Sequence, residues 1–334
     1  MRAVTWDEID ALHRQELLGY CYRMLGSPLD AEEAVQETMM RAWRGHDGFA
    51  GTSSLRVWLF RIATNVCLDL LRQRPRREQP VDVTVAGDAG APLGRRDDRR
   101  WIAPAPDNWL LPPGEDPAEI AVLHESVRLA FVAALHCLSP TQRATLILRD
   151  VLKLSADETA TLLGITVAAA NGLLRRARRR LATRPAPAAD LTADQKALLE
   201  RFVDAFERYD IPALTALLHD DATLSMPPYG LWLAGRSQLE RWFLREASPC
   251  RGARAIPVKA NGSPAFAIYH ADQGQQPPHA FAIQLVTVRD GRIAAIDMHL
   301  DPRLFRLFGL PDRLSTGSPG VHSGRHDDLV SSHA

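Results

Sequence analysis

Between Ser139 and Leu181 the chain reads SPTQRATLILRDVLKLSADETATLLGITVAAANGLLRRARRRL, and this stretch constrains the fold more than any other. Ser139 followed by Pro140 and Gln142 is a capping box with proline at the first helical position, so a helix starts there. Ser155 and Glu158 form a second capping box and start another helix. That helix buries Thr159, Leu162 and Leu163. It stops at Gly164, the residue best able to take the left-handed conformation that closes a helix. Thr166 opens a third helix in which Val167, Ala170, Leu174, Ala177 and Leu181 recur at helical spacing. Its other faces carry Asn171, Arg175, Arg176, Arg178, Arg179 and Arg180, and no acidic residue lies between Glu158 and Asp190 to neutralise them. A helix pair with a cationic second member has the shape and charge to enter a DNA major groove. An ordinary helical hairpin with a solvated basic face is the plainer alternative.

A chain of 334 residues suggests two or three domains. Formal net charge is +0, so no global field draws it to nucleic acid. Binding of that kind must come from local patches: Arg72, Arg74, Arg76 and Arg77 form one, and the 175–180 run forms the other. Cys21, Cys67, Cys137 and Cys250 lack the paired spacing of a zinc site and read as buried free thiols in a reducing compartment. No metal or cofactor is expected. The N-terminus has no signal pattern and the chain no 18-residue apolar run, which predicts a cytoplasmic protein that does not engage a membrane.

Residues 7–77 read as helices. Leu12, Leu17, Tyr20, Cys21 and Met24 or Leu25 mark a first apolar stripe, broken at Gly26-Ser27-Pro28. Asp30 with Glu33 is expected to cap a second helix, and Leu55 to Arg72 a third, with Trp58, Leu59, Ile62, Val66 and Leu70 inward. Residues 78–117 are rich in Pro, Gly, Asp and Arg and read as a linker, although Trp101, Trp109 and Leu110-Leu111 are apolar enough to dock on another surface. A helix from Ala118 to His136 leads into the helix-turn-helix unit, 118–184. After a Pro/Ala linker, 190–313 reads as two helices and then alternating strands, an α+β domain with a curved antiparallel sheet. The tail, 314–334, is Ser/Gly/His-rich and expected to be disordered.

The order of these segments resembles the extracytoplasmic-function (ECF) sigma factors of the sigma-70 family. DAEEAVQETMMRAWR (30–44) is similar to the helix that docks on the RNA polymerase clamp, SSLRVWLFRIATNVCLDLLR (53–72) to the element that recognises the −10 promoter region, and 138–181 to the module that reads −35. The helices and strands after 190, with MPPYGLWLAGR (226–236) and NGSPAFAIYHAD (261–272), resemble a SnoaL-like cone domain. The resemblance implies a multidomain fold: a region 2 helical bundle, a region 4 helix-turn-helix, and an α+β cone that tunes sigma activity.

It also implies bacterial RNA polymerase core and promoter DNA as partners. At −35, Asn171, Gly172, Arg175, Arg176 and Arg179 would face DNA; asparagine pairs with adenine and arginine with guanine, each good contact contributing roughly 1–3 kcal/mol of discrimination. At −10, Phe49, Ser53, Ser54, Arg61 and Asn65 would capture an unpaired base. Asp30, Glu33, Gln36 and Glu37 would present an acidic docking face to polymerase. In the cone, Met226, Trp232, Phe266, Phe281, Asp297 and His299 are candidates for a ligand pocket. Asp297 and His299 share one strand face, yet with no third catalytic group they read as rim residues rather than as a general-base pair. A stand-alone ligand-sensing helix-turn-helix regulator is the alternative reading, and a cyclase- or isomerase-type enzyme a third.

Overall fold

The computed structural model describes residues 6–46, 54–73, 77–80, 85–97, 100–111, 126–181, 192–245, 250–271 and 277–315. The 118–125 part of the expected Ala118–His136 helix, the Arg184–Ala189 linker and all but the first two residues of the tail lie outside these.

Three helices, α1 (Trp6–Leu25), α2 (Pro28–Gly45) and α3 (Leu55–Gln73), form an N-terminal bundle. Its centre is Tyr20, whose hydroxyl meets Thr64 Oγ1 at 2.6 Å and whose ring stands edge-on to Phe60. Leu12 is exposed and belongs to no core. The cap of α2 is Ser27, which accepts from the Asp30 amide, with Pro28 filling the first turn; Asp30 itself is freed for another role. The short α4 (Asp107–Leu110) follows in the linker. The helix-turn-helix comprises α5 (Leu129–Leu135), α6 (Pro140–Leu146) with its π-helical extension Ile147–Val151, α7 (Ala156–Leu163) and α8 (Val167–Leu181). Both capping boxes form, and Gly164 closes α7 at φ 65°.

Helices α9 (Ala193–Glu207), α10 (Ile211–Ala216) and α11 (Arg236–Leu244) belong to the C-terminal domain with strands β1 (Leu218–Ser225), β2 (Trp232–Ala234), β3 (Arg254–Ala260), β4 (Ser263–His270), β5 (His279–Arg289) and β6 (Arg292–His299); α12 (Leu304–Leu307) ends it. The sheet order is β2-β1-β6-β5-β4-β3. Every neighbouring pair is antiparallel except β1 and β6, which run parallel, so the sheet is mixed rather than wholly antiparallel.

Both faces of this sheet are covered. Leu224, Leu233, Phe266, Val286 and Ile296 face Phe202, Leu214, Leu239 and Trp242 of the domain's own helices. Ala265, Ala267, Tyr269, Ile283 and Leu285 face the other way and join one apolar cluster with α12, the linker, the N-terminal bundle and the helix-turn-helix. The linker makes this possible by acting as a belt. At one sheet edge Gly87 N donates to Trp232 O (2.9 Å) and Arg96 N to Pro228 O (3.0 Å); at the other, Pro106 pairs with Ala260. Between them Trp101 is buried and its Nε1 donates to Pro228 O at 3.1 Å. Edge strands left open invite pairing with other chains, and the belt closes both. Trp101→Ala is expected to cost about 3–5 kcal/mol in denaturant unfolding. A loss below about 1 kcal/mol would remove the belt from the cooperative core.

Candidate nucleic-acid interface

Helix α8 buries Ala170, Leu174 and Ala177 against α6 and α7, which forces the intervening positions outward. Asn171, Arg175, Arg176 and Arg179 are exposed, and Gly172 is half-buried with Arg176 as its nearest side chain. Thr166 Oγ1 caps the helix by accepting from Ala169 N (3.2 Å). The cationic face is not wholly unneutralised. Arg178 forms a two-pronged pair with Asp150 of the π-helical extension of α6, at 3.0 and 2.6 Å, so it braces α8 against that segment. The sequence window starting at Glu158 hid this partner because it lies 28 positions away.

On α3, Arg61 and Asn65 are exposed beside each other at helical spacing, and Ser54 lies exposed before the first turn with its Oγ accepting from Val57 N (3.3 Å). Phe49 and Ser53 fall outside the described residues. Trp58 is half-buried against the core, as its place in the apolar stripe predicts.

The docking helix differs most from expectation. Asp30, its side chain 14% exposed, forms an ion pair with buried Arg77 (2.5 Å), whose other nitrogen donates to Trp101 O (2.6 Å). Asp30 therefore ties α2 to the linker and is not part of an outward acidic face. Glu32 pairs with Arg306 of α12 (3.5 Å), and Glu37 with Arg41 (2.7 Å). Glu33 and Gln36 are exposed, and with them stand two residues the sequence reading passed over: Met40, 46% exposed, and Trp43, 64% exposed. Two large apolar side chains three positions apart on a solvent-facing ridge are the signal that was available. Grooves flank the ridge. One, of about 480 Å³, is lined by Glu32, Gln36, Trp109, Arg306 and Leu307; the other, of about 300 Å³, lies between α2 and α3.

The six cone candidates do not share one site. Phe266 pairs across the sheet with Gln284 and Gln284 with Met298, on the inner face, where Met226 and Phe281 also pack. Ala265 pairs with Leu285 and Leu285 with Asp297, which also pairs with Ser225, the partner of Trp232. Ala267, Ile283 and His299 form the next such row. Trp232, Asp297 and His299 are thus on the outer face, because cross-strand register carries their alternation to the side opposite Phe266. Asp297 accepts from Ser225 Oγ at 2.6 Å; burial pushes its carboxyl above the usual range and that hydrogen bond pulls it back. His299 is 5% exposed, its Nε2 has no partner among the described residues, and burial lowers its imidazole to about 4. On the inner face the sequence reading missed Gln284, fully buried with neither side-chain oxygen nor nitrogen paired among the described residues.

Two outcomes follow from this geometry. The unfolded imidazole binds a proton near pH 6.5 and the folded one near 4, so the stability His299 allows is whole above pH 6.5 and is lost as pH falls. At about 1.4 kcal/mol per unit, acidification from pH 7.5 to 5 is expected to cost up to about 2 kcal/mol; Asp297 slopes the opposite way, and a loss undiminished in His299→Gln would assign it elsewhere. Breaking a buried pair costs about 3–5 kcal/mol, so Asp30→Ala is expected to lower stability by that order. Loss of polymerase affinity with full stability would restore Asp30 to the docking face.

Residues 11–77 match the family model Sigma-70 region 2, residues 128–181 match Sigma-70, region 4, and residues 199–296 match the SnoaL-like domain. The ECF RNA polymerase sigma factor SigG of Mycobacterium tuberculosis is 43% identical over 311 residues, covering 90% of this chain and 83% of its own. SigJ of the same organism is 28% identical over 96% of this chain and 98% of its own. The crystal structure of the Mycobacterium tuberculosis sigma factor SigJ shares the fold, with a TM-score of 0.57 at 23% identity over 92% of this chain and 100% of that one. The N-terminal bundle, the helix-turn-helix and the C-terminal sheet domain therefore fall in turn within the matched regions, and the protein belongs to the ECF sigma factors, which direct RNA polymerase to promoters, here with a fused SnoaL-like domain.

Proposed function

We propose that the arrangement described is the closed form of this sigma factor, in which polymerase docking is open and promoter reading is not. One observation carries this reading: α3 and α7 are packed together, with Arg56 of α3 donating to Leu152 O of the helix-turn-helix at 3.2 Å. The −10 and −35 elements lie about 25 base pairs apart, on the order of 80 Å of duplex at about 3.4 Å per pair. Helix α8, with 15 residues, spans only about 22 Å. Two modules in contact cannot sit on both elements at once, so the helix-turn-helix must leave α3 before Asn171, Arg175, Arg176 and Arg179 read −35 while Arg61 and Asn65 meet −10. Polymerase grips the Gln36–Met40–Trp43 ridge.

The SnoaL-like domain acts here as a regulatory rather than a catalytic unit. That reading is supported by Asp297 bonding to Ser225 and by His299 lying buried on the face packed against the sigma core. A small-molecule ligand for its inner face is favoured by one observation, the Gln284 amide with no partner among the described residues.

Labels on exposed Arg72 and Thr161 test the closed form by distance measurement. Their separation is expected to grow by several tens of Å, on the order of the duplex length between the elements, when core polymerase and promoter are both present. Promoter-specific transcript with no change in distance would overturn it. In the same assay Arg175→Ala is expected to cost about 1–3 kcal/mol of −35 discrimination with polymerase binding unchanged; retained promoter choice would move the reading face elsewhere.

A further inference from the structure

We propose that the tip of the β3–β4 hairpin, Asn261–Gly262, is the key by which the SnoaL-like domain holds the two DNA-reading modules closed. This rests on the closed-form reading and assigns the residue responsible. Asn261 is fully buried, although it occupies a hairpin tip, where side chains ordinarily meet water. Its Nδ2 donates to Val127 O (2.6 Å), at the entry to the helix-turn-helix module, and to the Tyr22 hydroxyl (2.9 Å) of α1. Its Oδ1 accepts from Ala105 N (2.8 Å) of the linker and meets the same Tyr22 hydroxyl at 3.2 Å. The Asn261 backbone amide donates to Ala105 O (3.2 Å), and Gly262 N donates to Asp107 Oδ1 (2.7 Å). Tyr22 closes the network by donating to Ala103 O at 2.9 Å.

One amide thus spends both donors and its acceptor on three segments: region 2, the linker and the start of region 4. These are the segments that must part before −10 and −35 are both read. Asparagine is the residue suited to the task, because φ here is 51°, a conformation it tolerates better than other residues with side chains. A buried polar network is stable when complete and costly when partly broken, so withdrawing the hairpin releases all three segments together. Anything that shifts β3 and β4, the strands the key extends from, is transmitted to the sigma modules through this side chain.

Asn261→Asp tests the key in the full chain, because it sets a carboxylate oxygen against the Val127 carbonyl where a donor stood. Promoter-specific transcript at limiting core polymerase is expected to rise about tenfold, the size of a lost buried hydrogen bond. Amide exchange is expected to accelerate at 101–107 and 126–135 and to stay as in the wild type in β5 and β6. Asn261→Gly keeps the backbone conformation, guards against misfolding of the first variant, and is expected to act in the same direction. Tyr22→Phe added to Asn261→Gly is expected to give less than the sum of the two single effects, as members of one network do. Faster exchange in both segments with wild-type transcript levels, or unchanged exchange in every variant, would overturn the key. If the wild-type chain still opens on promoter DNA while the variants behave as wild type, the closed form stands and only the key fails.

Discussion

A β-sheet with two apolar faces cannot leave either in water, and the chain is organised around that requirement. Antiparallel sheets commonly cover one face and solvate the other. Here α9, α10 and α11 cover the inner face, while Ala265, Ala267, Ile283 and Leu285 on the outer face need a second cover. The linker belt and α12 supply the nearest layer, with Phe305 standing edge-on to Tyr269 at 5.0 Å, and the sigma modules pack behind them. Apolar burial contributes on the order of 25 cal/mol per Å², so this contact outweighs any single ion pair on the surface. It explains why residues 85–97 and 100–111 hold a defined path despite their polar composition.

The seam between the two sigma modules shares that apolar cluster and adds polar contacts of its own. Arg23 donates to Ser126 O and Oγ at 3.3 and 3.2 Å, Arg56 to Leu152 O, and buried Arg143 donates to Met24 O while touching His136 Nε2 at 3.2 Å. These are side chains bonded mainly to main-chain carbonyls across the boundary. A seam of that kind loses little when water replaces each partner, in contrast to an apolar contact that must be torn open. Inter-domain surfaces that part and rejoin are the more polar ones. The polar part of this boundary therefore suits modules that separate, while the apolar cluster it shares with the sheet is what their separation must overcome.

How much of this was legible in the sequence follows from the range of each interaction. The helix-turn-helix was, because its caps act within three residues and Gly164 marks its own turn. The five longer strands were, through their alternation. The parallel β1–β6 pair was not, since a strand's partner is chosen by a crossover and leaves no local signature; three-residue β2 and helix α11 were likewise hidden. Alternation put Asp297 and His299 on one face, but placing Phe266 opposite them took register across β4, β5 and β6, which bulges near Ile268 and Thr287 interrupt. Asp30 looked like a cap because Ser27, the cap itself, lies only three residues before it. Asn261 stood in a quoted motif with no readable role, its partners Tyr22 and Val127 being 239 and 134 positions away.

The docking helix shows how internal pairing changes the meaning of a charge pattern. Counted in sequence, 30–44 is acidic. In the fold, Asp30 is consumed by Arg77, Glu32 by Arg306 and Glu37 by Arg41. What remains outward is Glu33, Gln36, Met40 and Trp43, a ridge whose energy lies in apolar and aromatic area more than in charge. Interfaces concentrate their free energy in such residues, tryptophan above all, while rim charges govern encounter and choice of partner. The ridge is open while α3 and α7 are in contact, so under the proposed reading gripping polymerase and reading the promoter would depend on different surfaces. In the closed form proposed above the two tasks separate: affinity for polymerase would be set on α2, and the response to DNA by what holds the helix-turn-helix against α3.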